Sequence, residues 1–260
     1  MTPDLALTSG IRLASILQLD APVFLGNPWR RDRGFFTGLA VTAAAFAFVG
    51  FAPTYFLKGW FDTPALPTVV HVHGLLMTSW FVLLIVQTSL VAARRTDLHR
   101  RFGVVGALLA VVIVVMTVVT VIIGLRVPRG VFAMDATVAL VSLGSMAQFT
   151  AFVGAALVCR RKPDAHRRLM LIATAVLITA SVGRWPIIRV LGGSSAILAL
   201  AVYAVSDLLV VAMIIHDLVT RRRVHASLVW GGFALVVAQY LQEAVRYTNA
   251  GRAIVGWLQG

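Results

Sequence analysis

Three side chains in the stretch HVHGLLMTSWFVLLIVQ, residues 71–87, recur at a spacing of seven: His73, Trp80 and Gln87. On an α-helix that spacing places them on one face. An imidazole, an indole N–H and an amide on one stripe suit a small polar ligand or a proton. His71 lies two residues before His73, a turn of about 200° on a helix, so the two rings point apart and do not readily chelate one metal. More polar side chains stand in apolar surroundings downstream: Gln148, Arg184, Asp207, Gln239 and Glu243. An ionisable group inside a long apolar run is costly, and it is expected either to be paired or to serve a ligand. With His71, His73 and Trp80 these residues form a candidate ligand pocket. Asp207 or Glu243 is expected to pair with Arg184, and Pro186 frees a carbonyl that can bend the chain toward a cavity. The same residues serve equally well as ion pairs and hydrogen bonds that lock helix packing, with no ligand at all.

A second set of histidines has basic neighbours. RRTDLHRRFG, residues 94–103, and RKPDAHRRLM, residues 161–170, carry Asp, His, Arg and Arg in the same columns, and TRRRVH at 220–225 is a weaker echo. His99 and His166 are equivalent in this alignment, and His216 and His225 fall at a similar depth. Such histidines could bind a metal, ligate haem or carry protons. The surrounding arginines repel a metal cation and disfavour imidazolium, so interfacial side chains with no ligand are the competing reading. Asp97 and Asp164 sit where a helix N-cap is needed, since a carboxylate there accepts backbone N–H groups and meets the positive end of the helix dipole. The arginines that follow can reach anionic lipid headgroups.

What positions these residues follows from composition. Of 260 residues 59% are hydrophobic and 13% charged, against roughly 25% charged in a soluble domain. The excess lies in long uncharged runs, the pattern of transmembrane helices. Seven can be read, at about residues 34–57, 68–92, 103–125, 136–159, 169–191, 195–215 and 226–247. The fold class is all-α: a polytopic membrane bundle, with the two-helix hairpins expected to be parallel repeats of one another. The net charge of +13 sits in short loops, which argues for membrane topology and against nucleic acid. Arg30, Arg31 and Arg33; Arg94, Arg95, Arg100 and Arg101; Arg160, Arg161, Lys162, Arg167 and Arg168; and Arg221, Arg222 and Arg223 fall at one end of the spans. Lys58, Arg126, Arg129 and Arg252 fall at the other. Cationic loops stay cytoplasmic, so the N-terminus is expected inside and the C-terminus outside, the parity that seven spans require. Residues 1–33 are then a cytoplasmic segment, interfacial or disordered. Residues 34–248 form the membrane domain and 249–260 an outer tail. No cleaved signal peptide is expected, and the single cysteine, Cys159, excludes an intramolecular disulfide.

FAPTYFLKGW, the His-x-His-Gly start of the second span and the two His-Arg-Arg loops together resemble a group of uncharacterised bacterial multi-pass inner-membrane proteins. The resemblance covers about residues 34–184. It implies a location in the bacterial inner membrane and the topology above, and no activity. A looser likeness to membrane b-type cytochromes rests on membrane histidines beside short basic loops.

There is no Gly-Lys-Ser/Thr phosphate loop, Gly-x-Ser-x-Gly elbow, His-Glu-x-x-His helix or Rossmann fingerprint. No stretch outside the spans is long enough for a soluble catalytic domain. Three readings remain: a protein that binds or moves a small molecule or ion in an outward polar pocket; a haem- or quinone-linked redox protein; and a structural or assembly protein without a ligand.

Overall fold

The computed structural model describes residues 28–127, 132–185, 195–246 and 248–259. The chain is helical in long pieces: α1 Pro28–Phe51, α2 Thr68–Ala92, α3 Thr96–Arg126, α4 Ala136–Val158, α5 Pro163–Val182, α6 Ser195–Arg221, α7 Ala226–Arg246 and a short α8 Asn249–Gln259. Seven of these are long and apolar enough to cross a membrane. Pro186 and Arg189, and residues 1–27, lie outside the described residues.

At one end of the bundle the helices run beyond the apolar runs that announce them. They begin at 28 rather than 34, at 96 rather than 103 and at 163 rather than 169, and α6 ends at 221 rather than 215. All four extensions lie at the basic end. Hydropathy reports contact with hydrocarbon, whereas a helix continues for as long as its backbone bonds are satisfied. Arginine is a good helix former whose long stem covers apolar surface while its head reaches water.

This changes the role of the two loop aspartates. Asp97 and Asp164 stand inside the first turns of α3 and α5; the cap positions are Arg95 and Lys162, and neither helix has a side-chain cap. Pro163 takes the first helical position of α5, where its fixed φ fits and its missing N–H costs nothing. Asp164 is thereby moved inward and turned toward arginines. A side-chain cap does occur at Asp135, whose carboxylate accepts the Val138 N–H at 2.8 Å at the start of α4. The two similar phrases also turn differently. Arg94 adopts φ 61° after α2, while a 3-10 turn at Cys159–Arg161 follows α4.

Helix α5 occupies the centre, packed on α1, α4, α6 and α7. It is the most buried of the seven, although α5 and α7 are the least apolar. The most apolar span, α3, instead turns Val104, Leu108, Val111 and Val115 outward. A soluble core has the opposite order. In a bilayer the lipid face must be the most apolar surface, and polar or small residues are kept for helix contacts. Helix α1 meets this requirement with Ala40, Ala43, Ala47 and Gly50, whose alanines are buried. A Cβ at Gly50 would stand 2.2 Å from the Ser181 carbonyl oxygen, so only glycine lets α1 approach α5 there.

The APTYF segment closes α1 as a single wide turn, Ala52–Phe56, with Leu57 N–H bonded to Ala52 O at 2.7 Å. Tyr55 O–H donates to His71 O at 3.1 Å. The ring of Tyr55 lies over Gly74, where a Cβ would come within 2.5 Å of it. The glycine of HVHG thus makes room for the tyrosine of APTYF. At the other terminus, the expected outer tail is largely helical: α8 lies against α3 and α4, with Leu258 packed on the cluster of Val121, Leu125, Ala139 and Leu140.

Candidate functional site

The eight pocket candidates fall into two groups by element, those on α2 and just past α5 and those on α4, α6 and α7. On α2, His71 is exposed, with its ring 5.8 Å from Tyr55. His73 faces inward, and its Nδ1 is buried with no hydrogen-bond partner. Arg184, just past α5, is within electrostatic reach of His73; its guanidinium lies 4.6 Å from the Phe51 ring centre and donates to Ala180 O. Deeper along α2 the Trp80 indole donates to the Thr174 hydroxyl at 3.2 Å and meets Phe149 edge-on at 4.9 Å. The stripe continues to Gln87, whose Oε1 is buried without a partner.

The second group lies on α4, α6 and α7 and forms a hydrogen-bonded chain. Gln148 donates to Gln242 at 2.6 Å, Gln242 to the Tyr203 hydroxyl at 3.2 Å, and Tyr203 to the Glu243 carboxylate at 3.1 Å. Gly144 allows it, since a Cβ there would stand 2.5 Å from Gln242 Oε1. One turn away Gln239 donates to Asp207 at 3.0 Å. Asp207 thus meets a neutral amide rather than a cation among the described residues. Asp207 sits about midway along α6. Tyr203 and Gln242 were not singled out as pocket residues from the sequence, although both are polar side chains within apolar spans.

The basic end carries a network that the sequence reading did not anticipate. Arg168 on α5 is fully buried and forms a bidentate ion pair with Asp217 on α6, itself buried, with Arg168 Nε to Asp217 Oδ2 at 3.0 Å. Arg168 also donates to Asp164 O at 2.8 Å. Asp32 of α1 accepts from Arg167 and from Arg221, each at 2.9 Å, and Arg221 reaches Asp164 at 3.1 Å. Three acids and three arginines thereby tie α1, α5 and α6 together. The His225 backbone N–H joins by donating to Asp217 at 3.1 Å. One clue was available: only ten acidic residues occur in the chain, and Asp32, Asp97, Asp164 and Asp217 all fall at its most basic end.

The inner histidines do not form one site. His99 and His166 are neighbours, their rings 6.3 Å apart and nearly perpendicular. His166 Nδ1 is 2.8 Å from Ala156 O, while His99 Nδ1 is buried without a partner. His216 stacks on Phe35 at 3.9 Å, with Nε2 3.4 Å from Asp32. Among the described residues no group of three or more His, Cys, Asp and Glu could hold a metal. His225, outside the spans, has its Nδ1 2.8 Å from the Ser227 hydroxyl and accepts the Ser227 N–H at 3.2 Å. Burial first, and then the Arg168 guanidinium, hold its imidazole below the usual range. The neutral ring that accepts this bond is therefore complete above about pH 6.5 and is lost as pH falls through the lowered value.

An apolar groove of about 440 Å³ runs between α4 and α7, over Leu169 of α5. Of the eight pocket candidates it takes in Gln148.

The class these features define is a bundle of seven span-length helices compatible with an integral membrane protein, with an apolar core that holds a few buried polar side chains and with apolar outer faces. No protein-family model, curated protein or solved structure matches the chain.

Proposed function

We propose that the chain is an integral membrane protein of the bacterial inner membrane, with its basic loops cytoplasmic, and that it binds or moves a small ion at the polar chain of α4, α6 and α7. The observation that carries this is Asp207, a carboxylate near mid-span met by the Gln239 amide at 3.0 Å. In hydrocarbon such a group takes up a proton or a cation, because an uncompensated charge there is prohibitive. The Gln148–Gln242–Tyr203–Glu243 chain supplies further oxygens and a route of hydrogen bonds toward the end opposite the basic loops. The arginine loops rest on anionic headgroups, and their bias supports the orientation. The resemblance to bacterial inner-membrane proteins supports the location.

The test is thermal unfolding of detergent-purified protein across a series of alkali and small organic cations. A ligand that binds only the folded state stabilises it by mass action, by about 2.7 kcal/mol at a hundredfold excess over Kd, and so raises the melting temperature. Wild type is expected to respond to at least one cation, and Asp207→Asn to lose that response while remaining folded. No response to any cation in wild type, or loss of folded protein in both Asp207→Asn and Glu243→Gln, would assign these residues to packing instead. The adjacency of His99 and His166 favours one second reading, a haem-linked redox protein. A Soret band in the purified protein would support it.

A further inference from the structure

We infer that the groove between α4 and α7 is a binding site for one anionic phospholipid, its acyl chain held in the groove and its phosphate by the arginines at the basic end. The groove's volume, about 440 Å³, lies within the range of about 300–1,000 Å³ typical of small-ligand sites. Its walls are built from small residues on both helices: Ala151 and Ala155 on α4, and Gly231, Ala234 and Ala238 on α7. Alanine and glycine on facing helices normally bring the backbones together. Here Ala151, Ala155 and Ala234 are exposed, so the space they leave is open to an outside occupant. Gln148 closes the deep end, its amide N–H donated to Gln242 and its Oε1 buried without a partner, and the remaining lining is almost wholly apolar. That lining suits a hydrocarbon chain and offers little to a polar solute.

Charge at the mouth identifies the headgroup. Arg160 and Arg161 stand in the turn that follows α4, and Arg222 and Arg223 in the short loop that leads from α6 into α7; α4 and α7 are the two helices that form the groove. All four are exposed, and none forms an ion pair with a carboxylate among the described residues. Arg167, Arg168 and Arg221, at the same end, are by contrast neutralised by Asp32, Asp164 and Asp217. The arginines at the ends of α4 to α7 therefore divide between an internal set that holds helices together and an external set left with uncompensated charge beside an apolar slot, while exposed Arg94, Arg100 and Arg101 lie by α2 and α3. A phosphate with an attached acyl chain satisfies both halves of that arrangement at once.

The site rests on the membrane reading but not on ion binding at Asp207, and it is tested by a different readout. Native mass spectrometry of the detergent-purified chain, titrated with phosphatidylglycerol or with phosphatidylcholine, counts retained lipids directly. Wild type is expected to hold one phosphatidylglycerol per chain in preference to phosphatidylcholine. Ala155→Phe and Ala234→Phe fill the groove from opposite walls, at exposed positions where a larger ring leaves the core undisturbed, and both should lose that lipid. Ala204→Phe, at an exposed position of α6 away from the groove, should keep it. Arg222→Gln and Arg223→Gln should each weaken phosphatidylglycerol retention about fivefold and leave phosphatidylcholine unchanged. Equal retention of the two lipids would overturn the proposal. So would wild-type retention in both groove-filled variants, or a dimer that dissociates when the groove is filled.

Discussion

Replacing Arg168 by methionine, with Asp217 left in place, is expected to lower the unfolding free energy by about 3–5 kcal/mol, the usual cost of stranding one member of a buried ion pair. Both side chains are withdrawn from solvent, and Asp217 keeps the His225 N–H and the more distant His216 Nδ1, at 3.9 Å, when the guanidinium goes. The double variant Arg168→Met with Asp217→Leu should recover most of the loss, since a buried pair replaced by apolar groups of similar volume is often neutral. Denaturant titration of the purified single and double variants measures both. Equal instability of the two would mean that the network does more than neutralise charge. Removing Arg221, which is partly exposed and shares its partners with Arg167, should cost much less.

Gly50→Val is the second large effect. The added Cβ would meet the Ser181 backbone, which cannot turn aside as a side chain can. Overpacking of this kind costs about 1–3 kcal/mol and sometimes more, and here it pries α1 from the central helix. Gly38, on the same helix, has nothing within 4 Å of its built Cβ, so Gly38→Val should stay close to wild type. Thermal melts of the pair separate close helix approach from a general effect of branching in α1. Equal melting temperatures would show that α1 and α5 do not touch as described.

The seven helices were legible because hydrocarbon imposes a length and composition on whatever crosses it. Their ends at the basic face were not, because charged residues end an apolar run without ending a helix. The rotation of α2 was also legible: the spacing of His73 and Trp80 places both inward and His71 outward, as helix geometry requires. Long-range partners were not. Asp32 lies 135 residues from Arg167 and 189 from Arg221, and no local pattern links them. Asp164 shows the same limit. Its position suggested a cap, but Pro163 beside it and three arginines around it made it an acceptor of side chains. Asp207 was recognised as a buried acid, while its Gln239 partner depended on how α6 and α7 face each other.

The pairing of Arg168 with Asp217 also bears on how the protein is made. The two residues are 49 positions apart, so at about 5–20 residues per second the guanidinium waits on the order of 2–10 s for its carboxylate to be synthesised. During that interval the bonds available to it are those to Asp164, in its own helix and already translated. Asp164 thus acts as a caretaker for a charge whose permanent partner has not yet left the ribosome.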